Sequence, residues 1–271
     1  MRIDDHAALP ARNGFTFLEL SIVMVIIGLL IGGVLTGKEL IGSSEMKTIG
    51  SRMSAYNAAL INFREKYNAI PGDMSNATSY WTSDSNCNTV TMYAAAGTTA
   101  TCNGDGNGHV DSSASAIEWW RLPQHLANAG MIQGIYSGRG ADPSASSTGG
   151  LYMGQADLNL PGLPRAGVLQ TMWVGTITST ADATYYEGSY ANMTLVGEPV
   201  SKNLSTGPLM TTSEAYNFDL KYDDGKPGTG TMVTYKPAGT QLCATTTSSA
   251  TALYNFSRSG QQCALMVRGV L

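Results

Sequence analysis

Residues 14–36 read GFTFLELSIVMVIIGLLIGGVLT, and the rest of the chain is best understood outward from them. Between Phe15 and Thr36 there are 22 residues with a single charge, Glu19. At a rise of ~1.5 Å per residue they form about 33 Å of helix, enough to cross a hydrocarbon core about 30 Å thick. A carboxylate near the head of such a segment costs roughly 2.5–3.5 kcal/mol on insertion scales and is rare without a partner. A secretory signal peptide would have a basic start, a shorter apolar run and a small-residue cleavage site at its far end. Here the leader MRIDDHAALPARNG sets Asp4 and Asp5 beside Arg2 and Arg12, and no A-x-A site follows the run. A plain membrane anchor accounts for the length and leaves Glu19 unexplained.

The stretch GFTFLEL resembles the type III signal of type IV pilins and type II secretion pseudopilins: glycine, an aromatic, threonine, two residues and a glutamate, directly followed by an apolar helix. The resemblance implies cleavage between Gly14 and Phe15 by a prepilin peptidase on the cytoplasmic side and methylation of the new Phe15 amine. It also implies a role for Glu19 in assembly with other pilin or pseudopilin subunits. Before assembly the chain would be a single-pass protein of a bacterial inner membrane with its head in the periplasm. Elementary electrostatics agrees, because removing the leader creates at Phe15 the cation that Glu19 lacks. The two positions lie four apart on one helix face, and pairing with a neighbouring chain's amine would make the buried charge a register signal. Gly28 with Gly32, and Gly33 with Gly37, form two G-x-x-x-G spacings suited to close helix packing, although glycine is common in membrane helices generally. Members of the family often carry a proline near the middle of this helix, where this chain has only glycines.

Beyond the apolar run, residues 37–68 read as an amphipathic continuation of the helix. Ile49, Met53, Tyr56, Leu60, Phe63 and Tyr67 form one stripe, and Lys47, Arg52, Asn57, Asn62 and Arg64 lie opposite. Pro71 and Gly72 stop the helix near Asn68. The pattern does not persist through enough heptads for a free coiled coil, so the stripe is expected to pack on the chain's own head. Residues 69–271 change character, becoming rich in Thr, Ser, Gly, Ala and Tyr. Short strand-like runs recur in them: GVLQTMWVGTIT, ANMTLVG, TMVTYKP and CALMVRGVL. The expected fold is α+β, with a long N-terminal helix (a membrane half at 15–36 and an amphipathic half) packed on a C-terminal antiparallel β-sheet head. Loop insertions are expected around residues 83–116 and 137–165.

The net charge is -4 with 16 basic and 20 acidic residues, so no overall basic face is available for nucleic acid. Four cysteines, Cys87, Cys102, Cys243 and Cys263, allow three pairings. Local spacing favours Cys87 with Cys102 and Cys243 with Cys263, bridges that would persist outside the cytosol.

Three stretches of the head carry candidate chemistry. In CNGDGNGHVDSSASAIEWW, Asn103, Asp105 and Asn107 alternate as oxygen donors, His109 offers its carbonyl, and Asp111 occupies a ninth-position ligand place. This is an EF-hand-like calcium pattern. Asparagine stands at its first position and Ala114 at the bidentate position, so calcium would need a remote carboxylate such as Glu118, and a polar turn held by a nearby disulfide explains the same residues. In AIEWWRLPQHLANAGMIQG, Trp119, Leu122, Leu126 and Met131 suggest a short helix packed on the sheet, bent by Pro123 and ended at Gly130, and His125 beside Leu126 reads as a structural residue rather than a ligand or base. In TTSEAYNFDLKYDDGKPGTG, Ser213 can cap a helix through Leu220, and similar pilin-like proteins continue such a helix with Asp-Asp-Gly-x-Pro. Asp223 and Asp224 could hold a cation, and capping with turn formation explains them more simply.

Catalysis has little support. Only His109 and His125 follow Gly14, and no G-x-S-x-G, H-E-x-x-H or phosphate loop occurs. The expectation is a structural, non-enzymatic subunit with no certain cofactor beyond candidate calcium. The competing readings are a membrane-anchored periplasmic enzyme using carboxylates such as Glu118 and Asp157, and an adhesive or DNA-capturing tip.

Overall fold

The computed structural model describes residues 14–85, 87, 97–113, 116–140, 154–200, 204–239 and 242–271. Apart from Gly14, the expected leader lies outside these residues, as do Ala114 and parts of both loop insertions. Helix α1 spans Phe17–Tyr67. The chain divides into two compact units, residues 1–45 and 46–271, and α1 contributes to both.

In the first unit the large apolar side chains of α1 are exposed, from Phe17 through Ile41. Among the described residues this is the one helix long and apolar enough to cross a membrane, with a window of mean hydropathy 2.6. Gly28, Gly32, Gly33 and Gly37 have nothing within 4 Å of where a Cβ would stand, so their faces are free for packing against lipid or another helix.

The second unit begins inside α1 at Met46. Ile49, Tyr56, Leu60 and Phe63 are buried there, and Met53 and Tyr67 pack partly buried against the same core. Lys47, Arg52, Asn57, Asn62 and Arg64 are exposed, so the stripe and its polar back fall where the 3.6-residue period places them. The helix ends as Asn68 enters the left-handed region at φ 48°, and Gly72 follows at φ 90°.

The core that receives this stripe is a four-stranded antiparallel sheet. After β1 (Ser112–Ser113), β2 (Ala116–Ile117) and α2 (Glu118–Asn128) come β3 (Val168–Ile177) and β4 (Gly188–Gly197), then β5 (Met210–Thr211) leading into α3 (Thr212–Tyr222). The chain finishes with β6 (Met232–Thr234), β7 (Gln261–Cys263) and β8 (Leu265–Val267). The main sheet has the order β3-β4-β8-β6, and each of its strands comes from one of the four strand-like sequence runs. Thr171 and Thr194 face each other across β3 and β4 with hydroxyls 2.8 Å apart, and the Thr171 hydroxyl donates to the Tyr56 hydroxyl at 3.3 Å. A buried polar contact thus fixes α1 against the sheet.

Cys87 is bonded to Cys102 and Cys243 to Cys263. Closing loops of this length lowers the entropy of the unfolded chain by the equivalent of about 3 kcal/mol each.

One expectation is corrected. The cap of α3 is Thr211, not Ser213, and the helix runs to Tyr222 rather than Leu220. Thr211 Oγ1 accepts the Glu214 N–H at 3.2 Å while the Glu214 carboxylate accepts the Thr211 N–H at 2.9 Å. Ser213 has no acidic residue three places on, so only Thr211 forms the reciprocal capping box. Arg165 then holds Glu214 through two hydrogen bonds of 2.8 and 2.7 Å. Thr211→Ala is expected to cost about 1 kcal/mol, read as a lower urea midpoint for the detergent-solubilised chain.

Candidate processing site and acidic loops

Gly14 and Phe15 precede α1 and are exposed, Phe15 at 86%, as a peptidase substrate requires. Just inside, Thr16 and Glu19 form a second capping box. Glu19 Oε2 accepts the Thr16 N–H at 2.8 Å and the Thr16 hydroxyl at 2.8 Å, and the Glu19 N–H donates to Thr16 Oγ1 at 3.2 Å. The T-x-x-E signature before an apolar run is legible in sequence, and it adds a local function to Glu19. In this arrangement the carboxylate closes the helix N-terminus with neutral donors.

The loop at residues 103–111 is organised by a residue outside it. Asp73, just past the end of α1, is buried. Its Oδ1 accepts the N–H groups of Gly106 and Asn107 at 2.7 and 3.0 Å, and its Oδ2 accepts that of Gly108 at 2.9 Å. Asn192 of β4 clamps the far side, accepting the Val110 N–H at 2.8 Å and donating to the Gly108 carbonyl at 3.0 Å. Glu118, at the start of α2, accepts the Asp105 and Asp111 N–H groups at 3.0 and 3.1 Å.

Among the expected calcium ligands, Asp105, Asn107 and Asp111 are brought together, with the Asn107 amide donating to both carboxylates at 3.1 and 3.4 Å. Asn103 is not among them, because its Oδ1 accepts the Thr78 N–H at 2.8 Å. The His109 ring stacks on Trp173 with centroids 3.7 Å apart. The group able to hold a cation is instead Asp73, Asp105 and Glu118, with carboxylate oxygens within 4.8 Å of one another. Burial pushes Glu118 up to about 7 against the pull of its two amide donors, with the Asp73 and Asp105 charges adding to the rise. Burial also raises Asp73, opposed by its amide bonds. Sequence reasoning named Glu118 and missed Asp73, whose only local signal is its place in the Pro-Gly-Asp that ends α1.

His125 is fully buried. Its Nδ1 accepts the Gly72 N–H at 2.9 Å, which puts the proton on Nε2, within 3.0 Å of the Thr101 hydroxyl and 3.2 Å of the Cys102 carbonyl. The ring therefore ties the end of α1 to the strand of chain beside the first disulfide. Burial lowers its pKa from 6.5 to about 3, the Cys102 carbonyl opposing and Arg121 adding to the drop. A group depressed in this way stabilises the fold fully above 6.5, and that contribution is lost as pH falls toward 3. The His125 ring is expected to keep its neutral Nε2–H form from pH 8 to pH 4 in ¹⁵N NMR spectra, and titration near 6.5 in the folded protein would contradict this arrangement.

A second acidic group forms where α3 ends. Asp219, in the last turn of α3, lies one helical turn before Asp223, and Asp224 follows; their carboxylate oxygens lie within 4.8 Å of one another. Asp219 Oδ2 accepts the Tyr254 hydroxyl at 2.7 Å. Asp223 Oδ2 accepts the Met232 N–H at 2.8 Å, which fixes the start of β6. Asp224 accepts the Lys226 N–H at 2.9 Å and the Thr229 hydroxyl at 2.6 Å. Burial pushes Asp219 up to about 7; the Tyr254 hydroxyl and the Gly225 amide pull down, and the neighbouring Asp224 and Asp223 charges push further up.

The chain thus joins an apolar helix, headed by a glycine, an aromatic and a glutamate, to an α+β head. The family model described as the prokaryotic N-terminal methylation motif matches residues 9–35. The chain thus carries the type IV pilin and pseudopilin signal. No curated protein and no solved structure matches the chain.

Proposed function

We propose that this chain is a structural subunit of a type IV pilus or type II secretion pseudopilus, cut by prepilin peptidase between Gly14 and Phe15, methylated at Phe15 and assembled through its N-terminal helix. One observation carries the reading: the methylation motif at residues 9–35 overlaps the first nineteen residues of α1, 17–35. The bacterial inner membrane would hold the precursor with its N-terminus in the cytoplasm and its head in the periplasm, and two disulfides suit that compartment. A head of this size supports a specialised subunit rather than a compact major one. Co-expression with a prepilin peptidase tests the proposal. Mass spectrometry is expected to find a chain beginning at methylated Phe15, and a chain left full length beside an active peptidase would rule the reading out.

A structural role is favoured over the enzymatic alternative by how the candidate carboxylates are used. Glu118 accepts two backbone amides, and Asp157 accepts the Gly162 N–H at 3.0 Å.

Calcium at the 103–111 loop remains part of the proposal with a changed ligand set, because Glu118 does meet Asp105 and Asp73 completes the group. Three carboxylates, one in the loop and two that hold it from outside, suit the modest affinities of extracellular modules. Millimolar calcium is expected to raise the melting temperature of the chelator-treated chain, and Asp105→Asn to remove the part of that rise due to this loop.

A further inference from the structure

We propose that the head holds a calcium ion at the C-terminal end of α3, between Asp219, Asp223 and Asp224, where it joins α3 to the turn that enters β6. One carboxylate oxygen from each of the three, carried by a helix and the turn after it, lies within 4.8 Å of the others. Proximity of acidic groups alone is no site, and a second feature identifies this one. Asp219 is 0% exposed; Oδ2 is held by Tyr254 and the Gly225 amide approaches the carboxylate, yet Oδ1 makes no hydrogen bond of ordinary geometry. A buried carboxylate oxygen without a donor is costly, and here the unbonded atom belongs to the acidic group itself.

The placement sharpens the point. A helix C-terminus carries partial negative charge and favours cations, and three carboxylates are gathered there. Among the described residues no ion pair reaches any of them; the ion pairs of the head involve Asp84, Glu214 and Glu187. A cation is the one kind of group that would satisfy Asp219 Oδ1, relieve the mutual repulsion and complement the helix end together. All three donors are oxygens, with no histidine or cysteine in the group. That donor set selects hard cations, and its irregular spread over a helix turn and a loop suits calcium better than the stricter octahedron of magnesium.

The turn is built to hold this shape. Gly225 and Gly230 have φ of 72° and 77°, and a Cβ on Gly230 would collide with the Asp223 carboxylate. Backbone and side chain together keep Asp223 aimed between α3 and β6.

Terbium luminescence tests the proposal on the full chain in detergent, after chelation and dialysis. Tyr254 hydrogen-bonds directly to Asp219, so excitation of tyrosine is expected to sensitise terbium bound here, with calcium displacing it and magnesium doing so poorly. To separate this site from the 103–111 loop, the measurement is made in an Asp105→Asn background. There the sensitised signal is expected to persist, and to weaken roughly tenfold in affinity on adding Asp224→Asn, which removes one formal charge from the ligand set. Asp224 is exposed, so this variant tests the site even if Asp219→Asn disturbs folding. Asp219→Asn, where folded by circular dichroism, is expected to lose the signal. The proposal is overturned if Asp105→Asn alone abolishes sensitised binding, or if Asp224→Asn binds terbium and calcium as its parent does.

Discussion

Glu19→Val is expected to leave the chain inserted in the membrane and cut after Gly14, and to reduce its amount in sheared filaments to background. Valine makes the spanning helix more apolar, so insertion does not suffer. The variant loses the Thr16–Glu19 capping box, worth about 1 kcal/mol at a helix N-terminus. The larger loss arises in the assembled state, where a Phe15 ammonium packed among apolar helices would have no counter-ion, at an effective cost of several kcal/mol per buried ion. Glu19→Gln separates the two effects. Glutamine can still accept from Thr16 and carries no charge, so it is expected to assemble as poorly as valine. Immunoblots of sheared and whole-cell fractions read both variants. Normal assembly of Glu19→Gln would assign the importance of this position to helix capping, and normal assembly of Glu19→Val would remove the charge-pairing argument altogether.

What could be read in the sequence follows from the range of the interactions involved. The end of α1, its buried stripe and the four strands of the main sheet depend on local periodicity and on residues such as Pro71 and Gly72, and these are written in order along the chain. Both disulfides join cysteines close enough in sequence for spacing to favour them. The α3 cap was missed by two residues because Thr211, Thr212 and Ser213 can all cap. The choice falls to Glu214, which can reach back only to the residue three before it. Ending α3 at Leu220 had a further consequence: it left Asp219 apart from Asp223, whereas a helix through Tyr222 sets them one turn apart. Asp73 was missed for a different reason. It meets residues 106–108 through a tertiary approach of the end of α1 to a distant loop, and no local pattern encodes that distance.

Asp73 is also where the largest loss of head stability is expected. Its carboxylate takes three backbone N–H groups from Gly106, Asn107 and Gly108, and charge-assisted bonds of this kind are worth about twice a neutral one. Removing the acceptor leaves the Gly108 N–H without its partner and weakens two shared bonds, because the Gly106 N–H also donates to the Asp73 carbonyl at 3.0 Å and the Asn107 N–H to Asp105 Oδ1 at 3.0 Å, in a loop that Asn192 and Glu118 still hold in place. Gly106 and Asn107 lie at the surface, so water recovers part of the loss there, and Asp73→Ala is expected to cost about 2 kcal/mol. For a domain of this size that is a fall of roughly 4–8 °C in melting temperature. The measurement belongs in chelator, where the cation-binding role of Asp73 is silent and only its hold on the loop is read. Asp105→Asn, which removes an exposed carboxylate of the same group, is expected to stay within about 0.5 kcal/mol of the parent there. Asp73→Asn should resemble alanine, since its amide would present donors to the Gly108 N–H. If Asp73→Ala and Asp105→Asn instead melt together in chelator and diverge from the parent only when calcium is added, the loop is held by Asn192 and its own backbone, and Asp73 serves the cation alone.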